Sequence, residues 1–379
     1  MRAYVLPDPR LVKLAGRFVW LGIDTENPKN LRFTEKFPID AWPSLLVVDP
    51  ATEQVVVRWA GTATAAEIEK LAIDGERALK TEKASRADGY LADADRLLGA
   101  RAHAKAAQAY GKALEEGGKA WPGYERAAEA RVSSLSLAED AAGCAAAARE
   151  LSPAIRGAPS AARVLAQGIG CGLSLDGEDA KKAAVAPLLE RAKKLLGDPA
   201  VLADDRSWLY DQLVSVKREQ GDEAGAKAMA GRWLQFLERE VRRAKGPLER
   251  SAFNGQLVSA ALAAGTPERV LPTLVQSEKD LPGDFAPPTL VGYVSLKLGK
   301  NEEALAAADR ALALAQGPRR IRILVLKGQA EQALARPDAA RATFQQAVAE
   351  GEALPDNARP TGFMRQAKKA LDALKPAGS

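Results

Sequence analysis

Cys144 and Cys171 are the only thiols in the sequence and His103 the only imidazole, and few chemistries can be built from that set. The cysteines are too far apart for a Cys-x-x-Cys redox pair, and neither has the ligand cluster of a zinc site. A Ser-His-Asp triad or a multi-histidine metal centre would rest on His103 alone, which sits among alanines at the expected start of a helix and reads as a solvated or capping residue. Gly168, Gly170 and Gly172 in "AQGIGCGLSLDG" invite a phosphate-loop reading, but no strand precedes them and no Lys-Ser/Thr follows. Close helix packing accounts for them better. What remains is a stretch suited to binding: Trp42, Pro43 and Ser44 in "FPIDAWPSLLVVDP", where an aromatic side chain beside a proline can offer a peptide a shelf. Trp59 reads as core. No catalytic residue, metal ligand or cofactor is expected.

The bulk properties point the same way. The 379 residues are 47% hydrophobic and 27% charged but only 5% aromatic, a balance rich in alanine and leucine and hence in helix. The net charge of +5 is small, with Lys and Arg interspersed among Asp and Glu, which describes a solvated helical surface and no nucleic-acid stripe. No window has the apolar length of a membrane span, and the first residues lack the apolar core of a signal peptide. As written, the chain reads as cytoplasmic; an upstream signal peptide would make it periplasmic or otherwise part of the envelope.

The elements that would position Trp42 come next. FVWLGID, from Phe18 to Asp24, reads as a buried strand, Asn27–Phe37 as a short helix, SLLVVD as a second strand, PATEQ as a turn and VVVRWAG as a third strand. Thr64–Leu71 reads as an amphipathic helix, with Thr64 and Glu67 at capping-box spacing. This order, with Asp24, Pro43, Ser44, Asp49 and Gly61, resembles the later two-thirds of a thioredoxin-fold domain over about the first 75 residues. The resemblance implies that Pro43 is a cis-proline and that the backbone of Trp42 faces an extended peptide. The first strand and the Cys-x-x-Cys helix of that family have no counterpart here, so the chain as given cannot do dithiol chemistry. Either Met1 is internal to a longer protein or the module is a redox-inactive remnant. Truncation is the expectation, because a sheet short of a central strand leaves backbone groups uncovered.

From about Glu82 the pattern is helical and repetitive. LGKNEEALAAADRAL and ARPDAARATFQQAV place Ala304 and Ala340 36 positions apart. RAHAKAAQAYGKAL, with Ala106, Tyr110 and Ala113, and QGDEAGAKAMAGRWL, with Gly221, Ala226 and Trp233, fit the same frame. Gly292 and Gly328 fall where the first helix of a pair must approach closely. These segments resemble tetratricopeptide repeats, which implies an α-solenoid of six or seven helix pairs. The expected fold is therefore mainly α. A small, incomplete thioredoxin-like α/β domain (1–75) precedes a tetratricopeptide-like solenoid (76–360), which ends in a capping helix and tail (361–379). The junction Ile73–Ser85 reads as a charged, rigid helix.

By this order Cys144 and Cys171 lie on neighbouring helices. They would form a disulfide in an exported protein and remain small buried apolar residues in a cytoplasm. Some tetratricopeptide domains clamp acidic chaperone tails with Lys and Asn, but the matching faces here carry Thr289 and Tyr293, or Val325 and Gln329. The expected function is that of an interaction scaffold holding a protein or peptide partner in the solenoid groove. The alternative is a thiol-disulfide oxidoreductase or isomerase of the bacterial envelope whose cysteines precede Met1. The sequence names neither the partner nor the oligomeric state.

Overall fold

The structure, a computed structural model, describes Met1, residues 3–79 and residues 85–374. Part of the expected linker, residues 80–84, and the end of the expected tail, residues 375–379, lie outside the described residues. The helices in chain order are α1 (Leu31–Lys36), α2 (Ala65–Leu79), α3 (Arg86–Gly99), α4 (His103–Gly117), α5 (Tyr124–Leu137), α6 (Ala141–Leu151), α7 (Ala158–Leu173), α8 (Glu178–Leu195) and α9 (Ala203–Glu219). They continue with α10 (Glu223–Arg243), α11 (Pro247–Ser251), α12 (Asn254–Ala264), α13 (Leu271–Asp280), α14 (Ala286–Lys297), α15 (Asn301–Leu314), α16 (Pro318–Ala333), α17 (Pro337–Glu352) and α18 (Thr361–Ala373). Two strands, β1 (Ser44–Val48) and β2 (Val55–Ala60), stand between α1 and α2.

The chain forms two compact units. The first is Met1–Trp20 with Phe37–Trp233; the second comprises the described residues of Leu21–Lys36 and Leu234–Ser379. From α3 to α9 and from α13 to α18 consecutive helices pack on one another, and alternate helices also touch. In the first unit α5 meets α7 and α7 meets α9; in the second α12 meets α14, α14 meets α16 and α16 meets α18. That double adjacency makes an α-solenoid, since no helix pair buries its apolar face without the next.

Small residues set the helix separation. Gly328 on α16 faces the fully buried Phe344 of α17, and a Cβ on it would stand 2.6 Å from the ring. Gly328→Ala is therefore expected to destabilise the second unit by about 1–3 kcal/mol through overpacking. Gly255→Ala on α12, where a Cβ meets nothing within 4 Å, should be neutral or mildly stabilising. Equal urea-unfolding midpoints for the two variants would contradict this packing account.

The sheet of the first unit is smaller than the sequence suggests. β1 and β2 form an antiparallel hairpin with Ser44 opposite Ala60 and Leu45 opposite Trp59, and it is the only sheet among the described residues. Its turn is held by Asp49, whose side chain accepts from Thr52 Oγ1 at 2.7 Å and from the backbone of Ala51. The run Phe18–Asp24 forms no strand. Val19 is 88% and Leu21 74% exposed, and the chain leaves the first unit between Trp20 and Leu21. Apolar composition alone does not make a strand; a ladder partner is required, and β1 pairs only with β2. The expected α/β order thus lacks its first strand: the short helix within Asn27–Phe37 forms as α1, and the hairpin is followed by α2. Residues Ile73–Leu79 of the expected junction are the last turns of α2.

The free edge of β2 is covered by helix side chains. The Arg58 backbone N–H donates to Asp95 Oδ2 of α3 at 3.2 Å, and its carbonyl accepts from Arg126 Nη2 of α5 at 3.2 Å. Arg126 also pairs with Asp95, whose other oxygen accepts from Tyr110 of α4 at 2.7 Å. Strand groups that water would otherwise satisfy are bonded inside the unit. Burial, helped by the neighbouring Asp95 carboxylate, pushes the Tyr110 hydroxyl well above its ordinary range.

Candidate functional site

The end of β2 and the Gly61-Thr62 turn face alternate helices of the first unit, and between them lies a cavity of about 290 Å³. One stripe of α5 supplies Arg126, Glu129, Ala130 and Ser133, at helical spacing. Arg163, Val164 and Gln167 enter from α7, and Asp204, Asp205 and Trp208 from α9. Trp59 forms a wall, with its indole N–H bonded to Thr62 O at 2.9 Å, and Trp42 stands on the rim, 68% exposed.

Arg163 is the hub beneath the cavity. Its Nε and Nη2 donate to the two oxygens of Glu129 at 2.6 and 3.0 Å, Nη1 to Asp205 Oδ2 at 3.1 Å, and Nη2 also to Glu67 Oε1 at 2.5 Å. The guanidinium lies 5.2 Å from the centre of the Trp59 ring, a cation–π distance. Asp205 also accepts from the Thr62 hydroxyl. Glu67 works at two places. Its Oε2 accepts from the Thr64 backbone while Thr64 Oγ1 accepts from the Glu67 backbone, which caps α2, and its Oε1 meets Arg163. Four chain segments are therefore tied to one guanidinium.

Three carboxylates against one guanidinium leave an excess of negative charge. Burial pushes the Glu129 carboxyl up, and the charges of Glu67 and Asp205 add to that against the pull of Arg163, so it titrates at about 7. Asp205 is raised for the same leading reason, burial. Burial works against the charge on Arg163, but the carboxylates around it outweigh that and hold it firmly protonated.

The residues singled out in sequence are dispersed. The Trp42–Pro43 peptide is cis. Trp42 lines the cavity, whereas Pro43 and Ser44 are not among its lining residues. The Pro43 carbonyl accepts from Gly61 N–H at 2.8 Å, and Ser44 Oγ donates to Ala41 O at 2.7 Å, so both shape the end of the hairpin. Cys144 of α6 and Cys171 of α7 are joined as a disulfide. His103 opens α4 with Nε2 3.8 Å from Asp40, and no metal-holding cluster occurs among the described residues. Thr289 Oγ1 donates to Phe285 O, and Val325 is buried. Among the described residues no helix is long and apolar enough to cross a membrane. Arg126, Glu129, Arg163 and Asp205 escaped the sequence reading. Their one signal was charge placed within otherwise largely apolar helical stretches.

No protein-family model matches the chain, and no curated protein sequence matches it significantly. Among solved structures, the chain is similar to a tetratricopeptide repeat protein from Parabacteroides merdae, with 11% identity, coverage of 74% of this chain and 98% of that one, and a TM-score of 0.46. It is also similar to Acl4, an assembly chaperone of RpL4, with 14% identity, 76% and 97% coverage and a TM-score of 0.38. A third likeness is to the TPR2AB domain of yeast Sti1 in its pHSP90 complex, with 15% identity, 75% and 98% coverage and a TM-score of 0.27.

Proposed function

We propose that this chain is a non-catalytic interaction protein whose first unit holds a segment of a protein partner, seating one of the partner's side chains in the cavity beneath Trp42. The observation that carries the reading is the exposed Trp42 on the rim of a cavity of about 290 Å³. That volume lies at the small end of ligand pockets, about 300–1,000 Å³, and is too narrow for a helix about 10 Å across. An aromatic rim over a desolvated pocket is the anatomy of a binding hot spot.

The charges select the occupant. Glu129, Asp204 and Asp205 line the cavity with Arg58, Arg126 and Arg163, and Asp95 and Glu67 add two more carboxylates to the networks behind it. Carboxylates thus outnumber guanidiniums, so an apolar or basic side chain is accepted and an acidic one repelled. Ala41, Trp42 and residues 58–62, within the stretch that resembles a thioredoxin-like module, act here as a binding wall. The disulfide joins α6 to α7 outside that segment, and neither cysteine lines the cavity.

Selection from a displayed random-peptide library tests this. Enriched peptides should carry a large apolar or basic residue and lose at least tenfold in affinity on Trp42→Ala. They should bind a Leu248→Ala protein, altered at an exposed site in the other unit, unchanged. Peptides that ignore Trp42→Ala would overturn the reading, as would a library from which nothing is enriched.

A further inference from the structure

Residues Leu21–Lys36 belong to the second unit although the chain on both sides of them belongs to the first. Their anchor is Arg319, in the first turn of α16. It donates from Nη1 and Nη2 to the two oxygens of Asp24 at 2.8 and 2.6 Å, and from Nε to Glu26 Oε2 at 2.8 Å. Partial burial pushes the Asp24 carboxyl up, but its bonds to Arg319 and to the Glu26 backbone outweigh this and hold it low. The Arg319 guanidinium lies 4.9 Å from the centre of the Phe285 ring. Gly317, just before α16, lets the segment's backbone come close: a Cβ there would stand 2.7 Å from Glu26 O.

Several features suit this surface to an acidic segment. Paired carboxylates meet a bidentate guanidinium at the start of a helix, where the backbone dipole also favours anions. Arg322, one turn along, lies 5.7 Å from the same phenyl ring, and its Nε is buried with no partner among the described residues. The segment therefore leaves cationic capacity unused. Asp24 and Glu26 keep about two-fifths of their side-chain surface exposed, so their pairing is of the weak, exchangeable kind.

We propose that the start of α16, together with Phe285, is a docking site for acidic peptide segments, and that the chain's own Leu21–Lys36 occupies it as a displaceable ligand. The external partner carries an Asp-x-Glu pair and a further carboxylate for Arg322. Because the internal segment is tethered, it competes at an effective concentration on the order of millimolar. The site opens when the partner outcompetes it.

A fluorescent peptide of the sequence Leu21–Asn30, followed by polarisation, tests the proposal on the full chain. The Asp24→Asn/Glu26→Gln protein, whose own segment is released, should bind this peptide at least tenfold more tightly than the unaltered protein. Adding Arg319→Ala should abolish the gain, and a peptide with the same two amide substitutions should not bind. Equal binding by the unaltered and released proteins, no binding by either, or binding that survives Arg319→Ala would each overturn the proposal. Far-ultraviolet dichroism melts establish that each variant is folded. In the unaltered protein, excess peptide should speed amide exchange across Leu21–Lys36; unchanged exchange would count against displacement.

Discussion

Replacing Arg163 with Met should cost the first unit about 3–5 kcal/mol at pH 8, the usual penalty for leaving buried charge without its partner. Glu67, Glu129 and Asp205 would keep their burial and lose the guanidinium that each accepts from. For a unit of this size the melting temperature should fall by about 6–20 °C. Near pH 5 the deficit should shrink, because orphaned carboxylates can take up protons. A second change, Glu129→Gln, should recover part of the loss at pH 8 by removing one uncompensated charge. Calorimetry of the single and double variants decides the matter: a single variant that melts like the parent at pH 8 would show that the hub carries no weight.

The second large effect is a dependence on pH that runs opposite to ordinary acid denaturation. Glu129 has a folded-state pKa of about 7 against an ordinary value of 4.5, so between those values the folded chain binds more protons than the unfolded one. Its contribution is complete below about pH 4.5, declines as pH rises and is gone above about 7. The full excursion corresponds to about 3 kcal/mol. Asp205, also raised, acts in the same direction. Surface carboxylates held low, such as Asp8 and Asp49, act at more acid pH and lie outside this window. The unfolding midpoint in urea should therefore fall between pH 5 and pH 8, and Glu129→Gln should flatten the slope. A midpoint that climbs over this interval, or a Gln variant that keeps the parent's slope, would refute the assignment.

Local chemistry was legible in the sequence wherever its partners were local. Thr64 and Glu67, three positions apart, form the reciprocal cap that their spacing suggests. Gly328 marks a close approach because the bulky residue it accommodates recurs within the same repeat. Glu67 also shows where legibility stops. Its second oxygen bonds Arg163, 96 positions away, through the stacking of alternate helices, which no spacing rule encodes. The stripe of Arg126 and Glu129 was visible as charge on an alanine-rich helix, but which guanidinium it would meet depended on how α5, α7 and α9 register against one another. Phe18–Asp24 misled for the converse reason. Its residues have the composition of a strand, but strand formation depends on a neighbour, and Asp24 is bonded to Arg319 instead.

That bond imposes an order on biosynthesis. Arg319 leaves the ribosome 295 residues after Asp24, a delay of about 15–60 s at roughly 5–20 residues per second. Throughout that interval the first unit can assemble with Leu21–Lys36 as an unclaimed loop, exposing its acidic pair to chaperones and proteases. The second unit can take in the segment only once α16 has emerged and Arg319 meets Asp24, so the nascent chain closes there by joining parts made 295 residues apart.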